Sequence, residues 1–228
     1  MSRSYGRRAD PHEPRPYIRL GTTMEHAKAA AHLIAEAFDP LPATHWLAGP
    51  EPIQRSLIMR DYAQILTEHA IFSGLGKVMF AGDLAVAVWF DHTGPVVEPD
   101  QFDKRLAEAV GEHRLPRFQQ LGYRLDQHHP KDPHWYLAFL AVSSVVQGRG
   151  MGSALLAEQT ELLDEMGQRA YLEATGISER TAFEKRIQYK PDNRELYKKF
   201  DFQPMPNKIQ ITDDIEFTPM WRKPRCTS

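Results

Sequence analysis

Residues 145–156 read Val145-Val-Gln-Gly-Arg-Gly-Met-Gly-Ser-Ala-Leu-Leu156. Before them runs the almost unbroken apolar segment Trp135 to Val142. After them Ala154, Leu155, Leu162, Leu163 and Met166 fall on one side of a helix that Gly167 can end. The segment therefore joins a strand, expected to be buried on both faces, to an amphipathic helix. Gly148, Gly150 and Gly152 let backbone amides approach a bulky anion without a side-chain clash. Those amides and the helix N-terminus together form an anion site, and Arg149 can add a charge-assisted contact to phosphate. Three readings compete. One is a glycine-rich turn with no ligand. Another is a dinucleotide loop, although its glycine spacing differs and the segment lies late in the chain. Such a loop also requires an acidic residue about 20 positions on, and Glu173 falls near that distance. A Walker loop fails because no Gly-Lys-Ser/Thr follows.

Outward from this unit the pattern alternates between strand and helix periods. Tyr17-Ile-Arg-Leu20 reads as a first strand. Thr22 and Glu25 have capping-box spacing ahead of Ala27, Ala30, Ala31, Ile34 and Phe38, which recur at helical period. Asp39-Pro-Leu-Pro42 stops that helix. A second one is expected over about Ile53 to Phe72, with Ile58, Tyr62, Ile65, Leu66 and His69 on one side. Lys77 to Phe80 and Leu84 to Phe90 read as a hairpin turning at Gly82-Asp83. Residues 101–121 are charged and helical, Ala170 to Ala174 is a strand, Asn193 to Phe200 a short helix and Ile215 to Trp221 a last strand. The fold class is mixed α/β in one layer system. Residues 1–16 read as a flexible tail, 17–224 as one domain and 225–228 as a C-terminal tail.

Bulk composition narrows the function classes. The 228 residues are 42% hydrophobic and 25% charged, a globular balance with a formal net charge of -2. That charge gives no general drive toward nucleic acid or an anionic membrane. No segment reaches the roughly 18 consecutive apolar residues of a membrane span. Met1 to Pro16 has no apolar stretch of the secretory kind. The single cysteine, Cys226, excludes an internal disulfide framework and a cysteine-based zinc site, and nothing near it offers a base. A reduced, cytoplasmic protein is expected.

The pattern Gln147-x-x-Gly150-x-Gly152 resembles the acetyl-CoA pyrophosphate loop of the GNAT superfamily of N-acetyltransferases. The text around it is more specific. His134-Trp-Tyr-Leu-Ala-Phe-Leu-Ala-Val142 precedes it, Tyr171-Leu-Glu-Ala-Thr175 follows, and Asn193-Arg-Glu-Leu-Tyr-Lys-Lys-Phe-Asp-Phe202 lies beyond, in the family's order. Pro42-Ala-Thr44, Val86-Ala-Val-Trp89 and His129-Pro-Lys-Asp-Pro133 extend the resemblance toward the group of puromycin N-acetyltransferase and its relatives. It runs in patches from about residue 17 to 224.

The resemblance implies a GNAT-like fold, with a central mixed sheet splayed at the acetyl-CoA site and helices on both faces. It implies acetyl-CoA as cosubstrate and a small-molecule amine, an antibiotic among the candidates, as acceptor. No metal, nucleic acid or membrane is required. A protein or peptide acetyltransferase and a non-catalytic CoA-binding sensor are the alternatives. By the same resemblance, the backbone of Leu140, Ala141 and Val142 pairs with the pantetheine arm. Amides from Gln147, Gly148, Arg149, Gly150, Met151, Gly152 and Ser153 hold the pyrophosphate, and Asn193 binds pantetheine. Tyr197, one helical turn after Asn193, matches the family's general acid and also contacts the cofactor. Glu173 is the base candidate, because an attacking ammonium must first lose a proton. His134 and His45 are weaker candidates for that role. Gly176 to Asp192 interrupts a junction that is short in relatives. It reads either as a solvated loop or as a lid over the acceptor.

Overall fold

The computed structural model describes residues 16–177 and 193–225, with the side chains of Gly176 and Ile177 left aside. Most of the expected N-terminal tail, nearly all of the 176–192 insertion and Cys226 lie outside the described residues. The first strand, β1 (Ile18–Leu20), leads into α1 (Met24–Phe38). The cap of α1 is Thr23 rather than Thr22. Its hydroxyl accepts from the His26 amide at 3.2 Å, while the His26 ring accepts from the Thr22 amide at 3.1 Å. The reciprocal box is thus shifted by one residue, with histidine standing where glutamate was expected.

Asp39-Pro-Leu-Pro42 ends α1 as expected, but Pro42 also opens a short helix, α2 (Pro42–Ala48). Pro52 does the same for α3 (Pro52–Phe72). Proline suits a first helical position because the amide it lacks has no partner there. Helix α3 buries more than the single expected side. Ile58 and Met59 pack among α2, α4 and α5, while Ala63 and Ala70 pack against α1 and the sheet. The helix expected over 101–121 is two, α4 (Phe102–Val110) and α5 (Leu115–His128). Gly111, at φ 77°, breaks it.

The hairpin forms as β2 (Gly76–Ala81) and β3 (Ala85–His92), turning at Gly82 with φ 57°. β4 (His134–Val142) is followed by a 3-10 turn at Ser144–Val146 and by α6 (Met151–Glu165). Then come β5 (Ala170–Ile177), α7 (Arg194–Lys198), β6 (Gln203–Pro204), β7 (Ile209–Gln210) and β8 (Ile215–Arg222). The two-residue strands β6 and β7 are too short for an alternating pattern to reveal them. One sheet takes the order β1-β2-β3-β4-β5-β8-β6, with β7 also on β8. Among the described strands, only the β4–β5 pair is parallel. α1 and α3 cover one face through Ile34, Ala63, Phe80 and Val88; α6 covers the other through Leu155, Leu156 and Leu163 against Trp89 and Leu172.

β4 departs from the expectation of a strand buried on both faces. Its residues alternate between buried and half-buried, and Tyr136, Ala138, Leu140 and Val142 are the more open ones. The cause lies in its pairing. β3 follows it along its whole length, whereas β5 pairs only with Trp135, Tyr136 and Leu137. The β3 register also slips at that point. Trp89 faces Leu137 but Val88 faces Phe139, leaving Ala138 as an extra residue. Such a bulge bends the strand and swaps its faces, so β4 and β5 part just beyond it.

The far end of the sheet is held by a buried charge pair. Arg222, 1% exposed, directs Nη2 at both carboxylate oxygens of Asp164 (2.7 and 2.6 Å) and Nε at the Phe200 carbonyl (2.9 Å). Burial pushes the Asp164 carboxyl up, but Arg222 and the Arg225 amide outweigh it and hold the group below its usual range. Its stabilisation is complete above the unfolded carboxylate's range of about 4 and is lost as pH falls through the lower folded value. Asp164→Asn leaves a buried guanidinium without its counter-charge and is expected to cost about 3–5 kcal/mol at neutral pH. Urea unfolding at pH 7 tests this, and a cost below about 1 kcal/mol would assign the pair no structural weight.

Candidate active site

Where β4 and β5 separate, a cavity of about 720 Å³ opens. One wall is β4, with Leu137 at the end of its β5 pairing and Ala138, Leu140 and Val142 on the edge beyond it. The floor is the glycine turn, with Gln147, Gly148, Gly150, Met151, Gly152 and Ser153. Leu172, Glu173 and Thr175 of β5 face it, and Asn193, Leu196 and Tyr197 close the side. Most of the sequence candidates are therefore brought to one place. Ala141 is not among the lining residues, since it is buried on the α1–α3 face. Arg149 is exposed and also lies outside the lining.

The glycine turn has a backbone shape that favours glycine at two positions. Gly148 and Gly150 have φ of 77° and 82°, conformations that residues with a Cβ adopt only at a cost. A Cβ at either would meet nothing within 4 Å, so the conformation and not crowding selects glycine there. Gly150 is the N-cap of α6 and makes no side-chain cap. The first amides of that helix are accordingly left for an anion. Gln147 also braces the turn from within, because its Nε2 donates to the Val142 carbonyl at 3.1 Å and ties the turn to the strand end. Ser143 adds a link to α1, its Oγ donating to Glu36 Oε1 at 2.7 Å.

Tyr197 is 9% exposed and stacks edge-on against Phe202. Among the described residues no hydrogen bond engages its hydroxyl. Burial pushes its pKa up to about 12, so it carries its proton across the neutral range. Glu173 has a nearly buried side chain, 4% exposed, reaching from β5. Its Oε1 lies 3.8 Å from His129 Nδ1 and has no hydrogen-bond partner among the described residues. Burial, and after it the Glu173 charge, pushes the Tyr136 and Tyr171 hydroxyls well above their usual range. Neither closes a hydrogen bond onto Oε1, and the Tyr171 hydroxyl is itself buried without a partner among the described residues.

Opposite Glu173 and Tyr197 the cavity is bounded by Ala37, Phe38, Pro40 and Leu41. This wall is fixed by Arg55, whose Nε donates to Asp39 Oδ1 (2.7 Å) and whose Nη1 donates to the Gly49 and Pro50 carbonyls (3.2 and 2.7 Å). The two histidines weighed as bases do not face the cavity. His45 is exposed on α2, and His134 is buried with Nε2 turned toward His129. His92 and His129 went unremarked in the sequence as site residues. No local pattern marks them: the β3–β4 register, across the α4 and α5 connection, sets His92 directly across from His134. Burial, and then the neighbouring rings, pushes the His92 pKa down to about 4; burial lowers that of His134.

No family model matches the chain. Solved structures do match. An acetyltransferase of Corynebacterium glutamicum, from the group "histone acetyltransferase HPA2 and related acetyltransferase", is 26% identical with a TM-score of 0.64. That match covers 94% of this chain and 99% of the other. Arylalkylamine N-acetyltransferase 2 of Aedes aegypti is 14% identical at TM-score 0.53, with 91% and 99% covered. An agmatine N-acetyltransferase is 13% identical at TM-score 0.52, with 90% and 99% covered. The chain has the GNAT acetyltransferase fold. With that fold and this cavity it is an acyltransferase. No described helix is long and apolar enough to cross a membrane.

Proposed function

We propose that the protein transfers an acetyl group from acetyl-CoA to a primary amine of a small molecule. The supporting observation is the cavity, which leads from the open amides at the start of α6, along the unpaired edge of β4, to Glu173 and Tyr197. Acetyl-CoA fits its chemistry at both ends. The amides from Gln147 to Ser153 suit a pyrophosphate. The backbone edge from Leu140 to Val142, with Asn193 opposite, suits the amide-bearing pantetheine arm. Arg149, outside the lining, is left only a peripheral role toward phosphate.

In this reading Glu173 takes the proton from the ammonium, directly or through water. The neutral nitrogen then forms its bond to the acetyl carbon. A strand amide near Ala141 or Val142 is the donor available to the carbonyl oxygen as it gains charge. The C–S bond breaks as Tyr197 gives its proton to the departing sulfur, and the second proton that the nitrogen sheds on becoming an amide returns Tyr197 to its neutral form. Its raised pKa suits this role, since the hydroxyl must still be protonated when the thiolate leaves. The apolar wall of Phe38, Pro40 and Leu41 suits a compact acceptor. The resemblance to puromycin N-acetyltransferase and its relatives favours an amine-bearing antibiotic, and hence a resistance role. The lone cysteine favours a cytoplasmic setting.

The reading is tested by release of free CoA thiol from acetyl-CoA in the presence of arylalkylamines, polyamines, amino acids, aminonucleoside antibiotics and a lysine-containing peptide. Turnover is expected with at least one small amine. Glu173→Gln is expected to lower kcat for it by about 10²–10⁴-fold. Turnover on the peptide alone would replace the small-molecule reading. Acetyl-CoA binding without turnover on any amine would leave a sensor domain.

A further inference from the structure

Behind Glu173, outside the acetyl-transfer cavity, three imidazole nitrogens converge. His92 ends β3, His129 sits in the loop after α5, and His134 begins β4. His129 Nε2 lies 3.0 Å from His92 Nδ1 and 3.0 Å from His134 Nε2. All three atoms fall within 4.8 Å of one another. We propose that His92, His129 and His134 form a zinc site, with Glu173 as the carboxylate behind one of its ligands.

Proton counting supports this. His134 Nδ1 contacts the Asp132 carbonyl at 2.6 Å, and a carbonyl can only accept. That nitrogen therefore carries the hydrogen, and the neutral ring turns a lone pair at Nε2 toward His129. His129 Nε2 then has two nitrogen neighbours at the same distance, yet it holds at most one proton. One proton bridges one of these contacts well and leaves the other poor. A cation at the centre satisfies all three lone pairs. Zinc–nitrogen bonds of about 2.0–2.1 Å in a tetrahedral arrangement place ligand nitrogens about 3.3 Å apart, close to the two spacings of 3.0 Å from His129 Nε2.

The surroundings fit the same assignment. A metal-bound histidine usually gives its other N–H to a backbone carbonyl or a carboxylate, which fixes the tautomer. His134 does so to Asp132. With its Nε2 on the metal, His129 would carry its hydrogen on Nδ1, 3.8 Å from Glu173 Oε1. That oxygen is buried and lacks a hydrogen-bond partner among the described residues. The site thus turns an N–H toward Glu173 at ion-pair range and ties the open end of the β3–β4 pair to the loop before it. An all-imidazole set suits zinc, copper or nickel rather than magnesium or calcium. Three protein ligands leave a fourth position for water. Acetyl transfer needs no metal, so the role assigned to the ion is to position Glu173 and brace the strands.

The test uses the whole chain, stripped with a chelator, and needs no acetyl-CoA or acceptor. Zn²⁺ uptake is measured by equilibrium dialysis with elemental analysis, and Co²⁺ is added separately as a visible-absorption probe. One Zn²⁺ per chain at micromolar concentration and intense cobalt bands of a four-coordinate site are expected. His92→Ala and His129→Ala, both at half-buried positions, should weaken uptake by about a hundredfold or more, beyond the 10–100-fold loss typical of outer-shell changes. Circular dichroism confirms that each variant is folded. No stoichiometric uptake by the folded wild type would overturn the proposal. So would uptake left unchanged in both folded variants, which would locate the binding elsewhere on the chain.

Discussion

Tyr197→Phe is expected to lower kcat by about 10²–10⁴-fold while leaving acetyl-CoA affinity within about threefold, the pattern of an interaction made chiefly in the transition state. The substitution removes one hydroxyl from a residue that otherwise packs in the core beside Phe202 and Leu196. Among the described residues that hydroxyl holds no partner, so its loss orphans no buried group. The variant should therefore fold with nearly unchanged stability, which separates the chemical effect from a structural one. Steady-state kinetics with the best acceptor, single-turnover rates and calorimetric titration of acetyl-CoA together read the result. A folded variant with near-normal single-turnover rate would reduce Tyr197 to a packing residue.

The strand–turn–helix unit that carries this chemistry was legible because it combines two strong local signals. A continuous apolar run marks a central strand, and alternating glycines before an amphipathic helix mark a turn whose amides an anion can approach. The positive φ values at Gly148 and Gly150 add a conformational reason for glycine that the sequence reading, which rested on close approach of amides to an anion, did not contain. Hairpin β2–β3 was legible for a similar reason, since Gly82 sits between two apolar runs. The sequence did not disclose how β4 is shared between its neighbours. The register slip at Ala138 and the early end of the β5 ladder are tertiary events. The eight apolar or aromatic positions from Trp135 to Val142 carry no local mark of where pairing stops. Periodicity also merged α4 with α5, because Gly111 inside a charged helical pattern reads equally as a tolerated residue or a break.

The candidate site divides along the same line. Residues on the turn and on α7 follow from their place in a motif, and the fold brings Gln147, Gly150, Asn193 and Tyr197 around one cavity. Residues that meet only through the sheet do not announce themselves. His92 and His134 are 42 positions apart by their numbering and become neighbours through the β3–β4 register. His129 joins them from a loop. The cavity wall opposite Glu173 is another such case: Phe38 and Leu41 flank a proline-rich break, and only the buried Arg55, reaching Asp39 from the next long helix, shows why that break holds a fixed shape.

Gly150→Asp is expected to weaken acetyl-CoA binding by roughly a hundredfold or more, at an effective dielectric where unit charges about 4 Å apart repel by about 4 kcal/mol before salt screening. Two effects act together. The new carboxylate stands at the N-cap of α6, whose open amides are the proposed seat of the pyrophosphate. Its side chain also projects into space that is empty within 4 Å of the Cβ position and borders the cavity. The fold should survive, because that space is free and aspartate is among the residues that tolerate a positive φ best, at a cost of about 1–2 kcal/mol. Aspartate can moreover satisfy a helix N-terminus, so the substitution competes with the ligand for the same amides. Gly150→Ala supplies the control: it carries the backbone strain without the charge and should lose far less affinity. Calorimetry on both folded variants distinguishes the outcomes. If Gly150→Asp binds acetyl-CoA as the wild type does, the pyrophosphate does not sit at the start of α6. If the two variants lose affinity equally, strain in the turn and not repulsion of the anion controls binding there.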